Sequence, residues 1–253
     1  MAARKGNEPT TVERPSTVKR PQVRSAGRPS AKSTRQQPAT RERILSEALK
    51  RFSEVGFEAA STVEIARRAG VAQPLVHYYF KRKIDLWKAA VDFGFADVQR
   101  NLATVDTDLK DLDALSRLKI FVRRFVAFTA ARPDVGMIIQ MEGQNNTSRL
   151  RWLSKKHLRF SYGLIDGLIN AAQREGTLKS TAPPYHIAQI IVGASYLFLS
   201  GSERLHQIYG IDSRSPEMLA RHADLVIEAL FSGLCTSQRS QPELMENPDI
   251  HNN

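Results

Sequence analysis

Hydrophobic residues recur along most of this chain at intervals of three and four, the repeat of an α-helix, and no stretch shows the strict alternation of a half-buried strand. The first stripe, Ile44, Leu45, Ala48, Phe52 and Val55, starts from Thr40 and stops at Gly56, a residue suited to the turn beyond a helix end. Ser61-Thr62-Val63-Glu64 has the form of a capping box and opens a second, short helix with Val63, Ile65 and Ala66 facing inward and Gly70 at its end. Only Val71 and Ala72 separate Gly70 from Gln73-Pro74, and proline suits the first turn of a new helix. That third helix runs to about Phe80. Two short helices joined by a tight turn containing Gly form a helix-turn-helix.

A fourth helix, from about Lys83 to Ala103, carries Leu86, Trp87, Ala90, Val91 and Phe95 on one face, and residues 104–111 read as a polar turn. The stripe Leu118, Phe121, Val122, Phe125 and Phe128 then stops at Arg132-Pro133. Asp134 is placed to cap a short helix bearing Met137, Ile138 and Met141. A long helix with Leu150, Leu153, His157, Phe160, Leu164 and Leu168 ends near Gly176. Pro183-Pro184 opens another, with Ile187, Ile190, Ile191, Ala194, Leu197 and Phe198, and Ser215-Pro216-Glu217 opens the last, with Leu219, Leu225, Val226 and Leu230. The pattern predicts nine helices and no sheet, an all-α protein.

Composition changes this picture at the ends. Of 253 residues, 42% are hydrophobic and 25% charged, ordinary for a globular protein, but the formal charge of +11 favours an anionic partner. Residues 1–38 supply +7 of it, with nine Lys or Arg against Glu8 and Glu13, five prolines and no aromatic residue. Such a segment buries too little apolar surface to offset its ordering entropy and reads as a disordered basic tail. It suits a solvated tail or an arm adding phosphate contacts; Gly27-Arg28-Pro29 matches the centre of an AT-hook but lacks the preceding arginine. The expected organisation is a tail over 1–38, a helix-turn-helix domain over 39–99, a helical domain over 100–235 and a disordered polar tail over 236–253. One cysteine, Cys235, excludes an internal disulfide and suits a reducing cytoplasm, and no run reaches the roughly 18 apolar residues of a membrane span.

Residues 40 to about 90 resemble the DNA-binding domain of the tetracycline-repressor (TetR) family of bacterial transcription regulators. The resemblance rests on Ile44-Leu45, Ala48, Phe52, Gly56-Phe57, Thr62, Ile65-Ala66, Ala69-Gly70-Val71, the run Pro74-Leu75-Val76-His77-Tyr78-Tyr79-Phe80, Lys83 and Leu86, and covers about a fifth of the chain. The later helices agree with the family only in number and length. Three positions depart from its pattern: Ala72 and Arg82 stand where a Ser or Thr cap is usual, and Val63 where some members read a base with arginine.

Helical spacing assigns Val76, Tyr79 and Phe80 to the core of this head and leaves Gln73, Pro74, Leu75, His77 and Tyr78 for DNA. The start of a recognition helix meets base edges, so Gln73 suits an adenine edge, Pro74 or Leu75 a thymine methyl, and His77 and Tyr78 phosphates. Thr62 and Lys83, each opening a helix, suit phosphate as well.

The resemblance implies that the remaining helices bind a small effector and form a homodimer, and that the effector releases a repressor from a palindromic operator through the fourth helix. Candidate effector contacts are Phe121, Phe125, Met137, Gln140, Met141, Trp152, His157 and Phe160, with Phe128, Tyr162 and Tyr196 nearby in the pattern. The same stripes suit plain core. Candidate dimer residues are Ile190, Ala194, Leu197, Phe198, Leu225, Val226 and Leu230, and an intramolecular core helix is the alternative. The six histidines show no metal-ligand spacing and no catalytic motif is complete, so no cofactor, no metal and no enzymatic activity are expected. The competing reading is an effector-independent or architectural DNA-binding protein.

Overall fold

The computed structural model describes residues 31–235; residues 1–30 and 236–253, where most of the basic tail and all of the polar tail fall, lie outside the described residues. Helix α1 spans Ala31–Ala59, α2 Thr62–Arg68, α3 Gln73–Tyr79 and α4 Lys83–Asp108. Then follow α5 (Ala114–Ala131), α6 (Pro133–Gly143), α7 (Ser148–Leu153) and α8 (Arg159–Arg174), the last two joined through a π turn at Ser154–Leu158. Helices α9 (Pro184–Ser200), α10 (Ser202–Tyr209) and α11 (Pro216–Leu234) complete the described part. No strand occurs among the described residues beyond an isolated bridge between Leu178 and Cys235.

The apolar stripes do what their spacing dictates. Ile44, Leu45, Ala48, Leu49 and Phe52 of α1 are buried with Ile65, Ala66, Val76 and Phe80 against Leu86, Trp87 and Ala90 of α4, closing the core of a three-helix head. Further along, α4 turns Phe95 and Val98 into the second half of the molecule, so one helix belongs to both cores. Gly94 marks its crossing with α1 and α6: a Cβ there would lie 2.8 Å from Leu49 Cδ2 and 2.9 Å from Val135 Cγ2.

Several local expectations are corrected. Helix α1 opens at Ala31, ahead of Thr40, and continues past Gly56, where φ 77° and ψ 173° set the final turn of Phe57 to Ala59 at an angle. Ser61 sits at the N-cap of α2 but its hydroxyl makes no cap bond, and Glu64 turns to Arg68 (3.1 Å) and Arg51 (3.5 Å) instead of reaching back to the cap. Val63 is 55% exposed rather than inward. The polar stretch after Ala103 continues α4 to Asp108. Asp134 lies inside the first turn of α6, paired with Arg132 Nε at 3.1 Å, rather than capping it. Helix α10 raises the helix count among the described residues above nine; it buries none of its residues, so no inward stripe marks it in the sequence.

The caps that hold are Asp113 on α5, Thr147 on α7 and Ser215 on α11, each accepting a backbone N–H of the first turn. At α4 the missing cap is offset by Arg82, whose Nε and Nη2 donate to both oxygens of Asp85 at 2.9 and 2.8 Å. That guanidinium holds the Asp85 carboxyl below its ordinary range.

Candidate functional site

Two features stand at opposite ends of α4. The first is the outer face of α3. Val76 and Phe80 anchor this helix in the head, Leu75 and Tyr79 are half-buried, and Gln73, Pro74, His77 and Tyr78 are exposed, Tyr78 by 78%. The side chains of the face already touch one another: Gln73 Nε2 and His77 Nε2 lie 3.3 Å apart, and the Tyr78 ring meets Tyr79 edge-on with centroids 5.4 Å apart. The turn before α3 is fixed by backbone bonds from Val71 N to Ala66 O (3.0 Å) and Leu75 N to Ala72 O (3.0 Å), with Gly70 left-handed at φ 62°. Behind α2, Arg68 donates to both carboxylate oxygens of Glu54 and holds that carboxyl below its usual range.

The two flanking candidates are partly built into the head. Thr62 is half-buried at the first position of α2. Lys83 Nζ donates to the carbonyl of Glu58 at 2.9 Å and lies 4.8 Å from the Phe57 ring centre, tying the start of α4 to the end of α1.

The second feature is a cavity of about 260 Å³ enclosed by α4, α5, α6, α8 and α9. Of the candidate effector residues, Phe121, Phe125 and Gln140 line it, joined by Phe128, Tyr162 and Tyr196. Phe121 and Phe125 stack nearly parallel at 5.9 Å. Burial raises the phenol pKa of both tyrosines and keeps them neutral donors. Tyr162 donates to Gln189 Oε1 at 3.3 Å and Tyr196 to Met137 Sδ at 3.0 Å. The walls also include Val98 of α4, with Phe95, expected in the α4 core stripe, and Arg132, expected only as a helix stop. Arg132 is engaged with Asp134.

The other candidates lie elsewhere. Met137 is one layer behind the wall under Tyr196, and Met141 faces α1, 3.8 Å from where a Cβ on Gly56 would sit. Trp152 packs on Trp87 of the head at 5.5 Å. His157 is buried between Trp152 and Phe95 and its Nε2 meets Asp92 Oδ1 at 2.8 Å; burial pushes its pKa down, against the pull of Asp92. Phe160 is exposed. The π turn explains this last displacement: its extra residue rotates everything downstream, so Ser161, Tyr162 and Ile165 reach the cavity where an unbroken helix would have brought Phe160.

A third surface runs along α9 and α11. Ile190, Leu197 and Leu225 are exposed, Leu197 by 63%, and Ala194, Phe198 and Leu230 are half-buried around them. Val226 is a correction, being buried in the chain's own core. Among the described residues no three His, Cys, Asp or Glu side chains cluster to hold a metal, and no helix is long and apolar enough to cross a membrane.

Comparison with known proteins bears on both ends of α4. Residues 44–90 match the family profile for bacterial regulatory proteins of the tetR family, and residues 114–230 that for a tetracyclin repressor-like C-terminal domain. The HTH-type transcriptional regulator BetI of Pectobacterium atrosepticum is 37% identical over 159 residues, 52% of this chain and 81% of BetI. The HTH-type transcriptional repressor NicS of Pseudomonas putida is 23% identical over 202 residues, 77% of this chain and 92% of NicS. Among solved structures, AibR in complex with isovaleryl coenzyme A and operator DNA aligns with a TM-score of 0.61 at 16% identity, covering 76% of this chain and 98% of AibR. FadR from Bacillus subtilis in complex with stearoyl-CoA aligns at 0.58 and 21% identity, covering 76% and 97%.

Proposed function

The chain belongs to the tetR family of bacterial regulatory proteins, and from that membership we propose that it is a cytoplasmic, non-catalytic repressor that leaves a palindromic operator when a small apolar molecule fills the cavity. It is a DNA-binding transcription regulator with an N-terminal helix-turn-helix and a helical C-terminal domain. The observation that carries the proposal is α4. The helix that follows the recognition helix is also a wall of the cavity, through Phe95 and Val98, so the size of the cavity and the position of the head are set by one rod.

On DNA, α3 enters the major groove with Gln73 on base edges, Pro74 or Leu75 on a thymine methyl, and His77, Tyr78, Thr62 and Lys83 on phosphates. The exposed apolar side chains of α9 and α11, Ile190, Leu197 and Leu225, pack against a second copy about a twofold axis and pair two heads. Two such heads read half-sites one DNA turn apart, about 34–36 Å. Coenzyme A thioesters, the ligands of the two solved neighbours, are the class to try first, their acyl part being matched to the aromatic walls. Selection of bound duplexes from random DNA tests the reading: a palindrome with half-sites one turn apart is expected, and a thioester that fills the cavity lowers affinity for it. The effector-independent alternative predicts a steep salt dependence, little sequence preference and no response to any ligand.

A further inference from the structure

Helix α6 has two sides. Val135, Gly136, Ile139 and Gln140 line the cavity, while Met141 near its end faces the α1 turn at Gly56. Glu142 is a carboxylate 6% exposed, a position that requires partners. It has two: Arg149 Nε donates to Oε1 at 2.7 Å and Thr147 Oγ1 to Oε2 at 3.0 Å. Arg149 spends the rest of its guanidinium on the other domain. Its Nη1 donates to Glu58 Oε1 at 3.0 Å, and its Cζ lies 4.2 Å from the centre of the Phe57 ring. Phe57 in turn meets Trp87 of α4 edge-on at 6.3 Å and carries Lys83 above it, and Lys83 opens α4 directly after the recognition helix. Both Phe57 and Glu58 belong to the short turn that Gly56 sets off from α1.

We infer that Arg149 is the coupling residue of this regulator, passing displacement of α6 to the head through Glu142 on one side and Phe57 and Glu58 on the other; this rests on the reading of the cavity as the effector site. The arrangement suits the task. A planar guanidinium held by a buried carboxylate and stacked on a ring transmits position, because its hydrogen bonds fix direction as well as distance. The partners differ in tightness: Glu142 is enclosed, whereas Glu58 is 82% exposed, so when α6 moves Arg149 stays with α6 and pulls on the α1 turn. Through Phe57 and Lys83 that pull reaches the start of α4.

A double-substitution cycle tests this on the full chain, with the operator recovered by selection. Val192→Trp puts an indole into the cavity from α9 with every α6 residue unchanged, and so imitates a bound effector. Alone it is expected to lower operator affinity at least tenfold; beside Arg149→Met the same substitution is expected to lower it less than twofold. Arg149→Met alone keeps native operator affinity and a single cooperative unfolding transition. A tenfold loss that persists beside Arg149→Met overturns the inference, as does a loss of operator affinity from Arg149→Met by itself, which marks a merely structural residue. Should Arg149→Met fail to fold, Glu58→Gln, at an exposed side chain, takes its place and is expected to reduce the tenfold effect. An undiminished effect overturns the inference equally. If Val192→Trp alone leaves operator affinity unchanged, the reading of the cavity falls, and this inference with it.

Discussion

The head and the cavity domain are built from the same kind of helix but hold their apolar residues differently. In the head, Ile44, Phe52, Ile65, Val76 and Trp87 are all buried against one another around a filled core. In the second domain Phe121, Phe125, Phe128, Tyr162 and Tyr196 face a space that the chain leaves open. A filled core makes the head a rigid body that can only be moved whole; an unfilled one makes the cavity domain the part whose helix positions a small molecule can change. Helix α4 and the Glu142–Arg149–Glu58 bridge lie where the two meet.

The same substitution made on each side sharpens the contrast. Phe52→Ala opens a void in a filled core and is expected to cost about 3–5 kcal/mol of stability. Phe125→Ala only enlarges an existing cavity beside a half-buried ring, and about 2 kcal/mol is expected. Denaturant titration of the two variants checks this, and equal losses break the distinction between filled and hollow. On the DNA side, Gln73→Ala is expected to cost about 1–3 kcal/mol of operator affinity and relax one base position. Lys83→Ala is expected to weaken all sequences alike and to lower stability as well, since its ammonium also holds the Glu58 carbonyl. Binding measured against a panel of operator variants separates the two; a uniform loss in both removes Gln73 from the bases.

The head was far more legible in the sequence than the cavity, for a physical reason. A recognition helix is a local object: Gly70, Pro74 and the alternation of Val76 and Phe80 with His77 and Tyr78 fix its length and both faces within a dozen residues. A cavity is made by several helices whose crossing points depend on close approaches such as Gly94 on Leu49 and Gly136 on Tyr196. Nothing in the apolar stripe separates Phe95, which faces the cavity, from Trp87, which fills the head. The π turn cost the most, because reading the α7–α8 stripe as one unbroken helix brought Phe160 inward. Arg149 was invisible since its partners Glu142 and Glu58 come from two other helices. Val63 was read inward from spacing alone, although its placement where some relatives carry a base-reading arginine already pointed outward.

The smallest expected effect concerns pH and the second domain. His157 and His222 both lie in the second domain, and in both burial pushes the pKa down. At His157 the hydrogen bond to Asp92 opposes that shift and the charge of Lys156 adds to it. A histidine with a folded pKa below its unfolded value, about 6.5, binds fewer protons in the folded state. Stability is therefore fully present above about pH 6.5 and is lost as the pH falls through the folded pKa. The carboxylates Glu54, Asp85 and Asp113 are also depressed, but their losses set in near the ordinary carboxylate range, about pH 4. Between pH 7 and pH 5 the thermal midpoint is thus expected to fall through the two histidines. His157→Gln and His222→Gln should each flatten that slope, the double variant most. A slope that survives the double variant would remove these two histidines as its source.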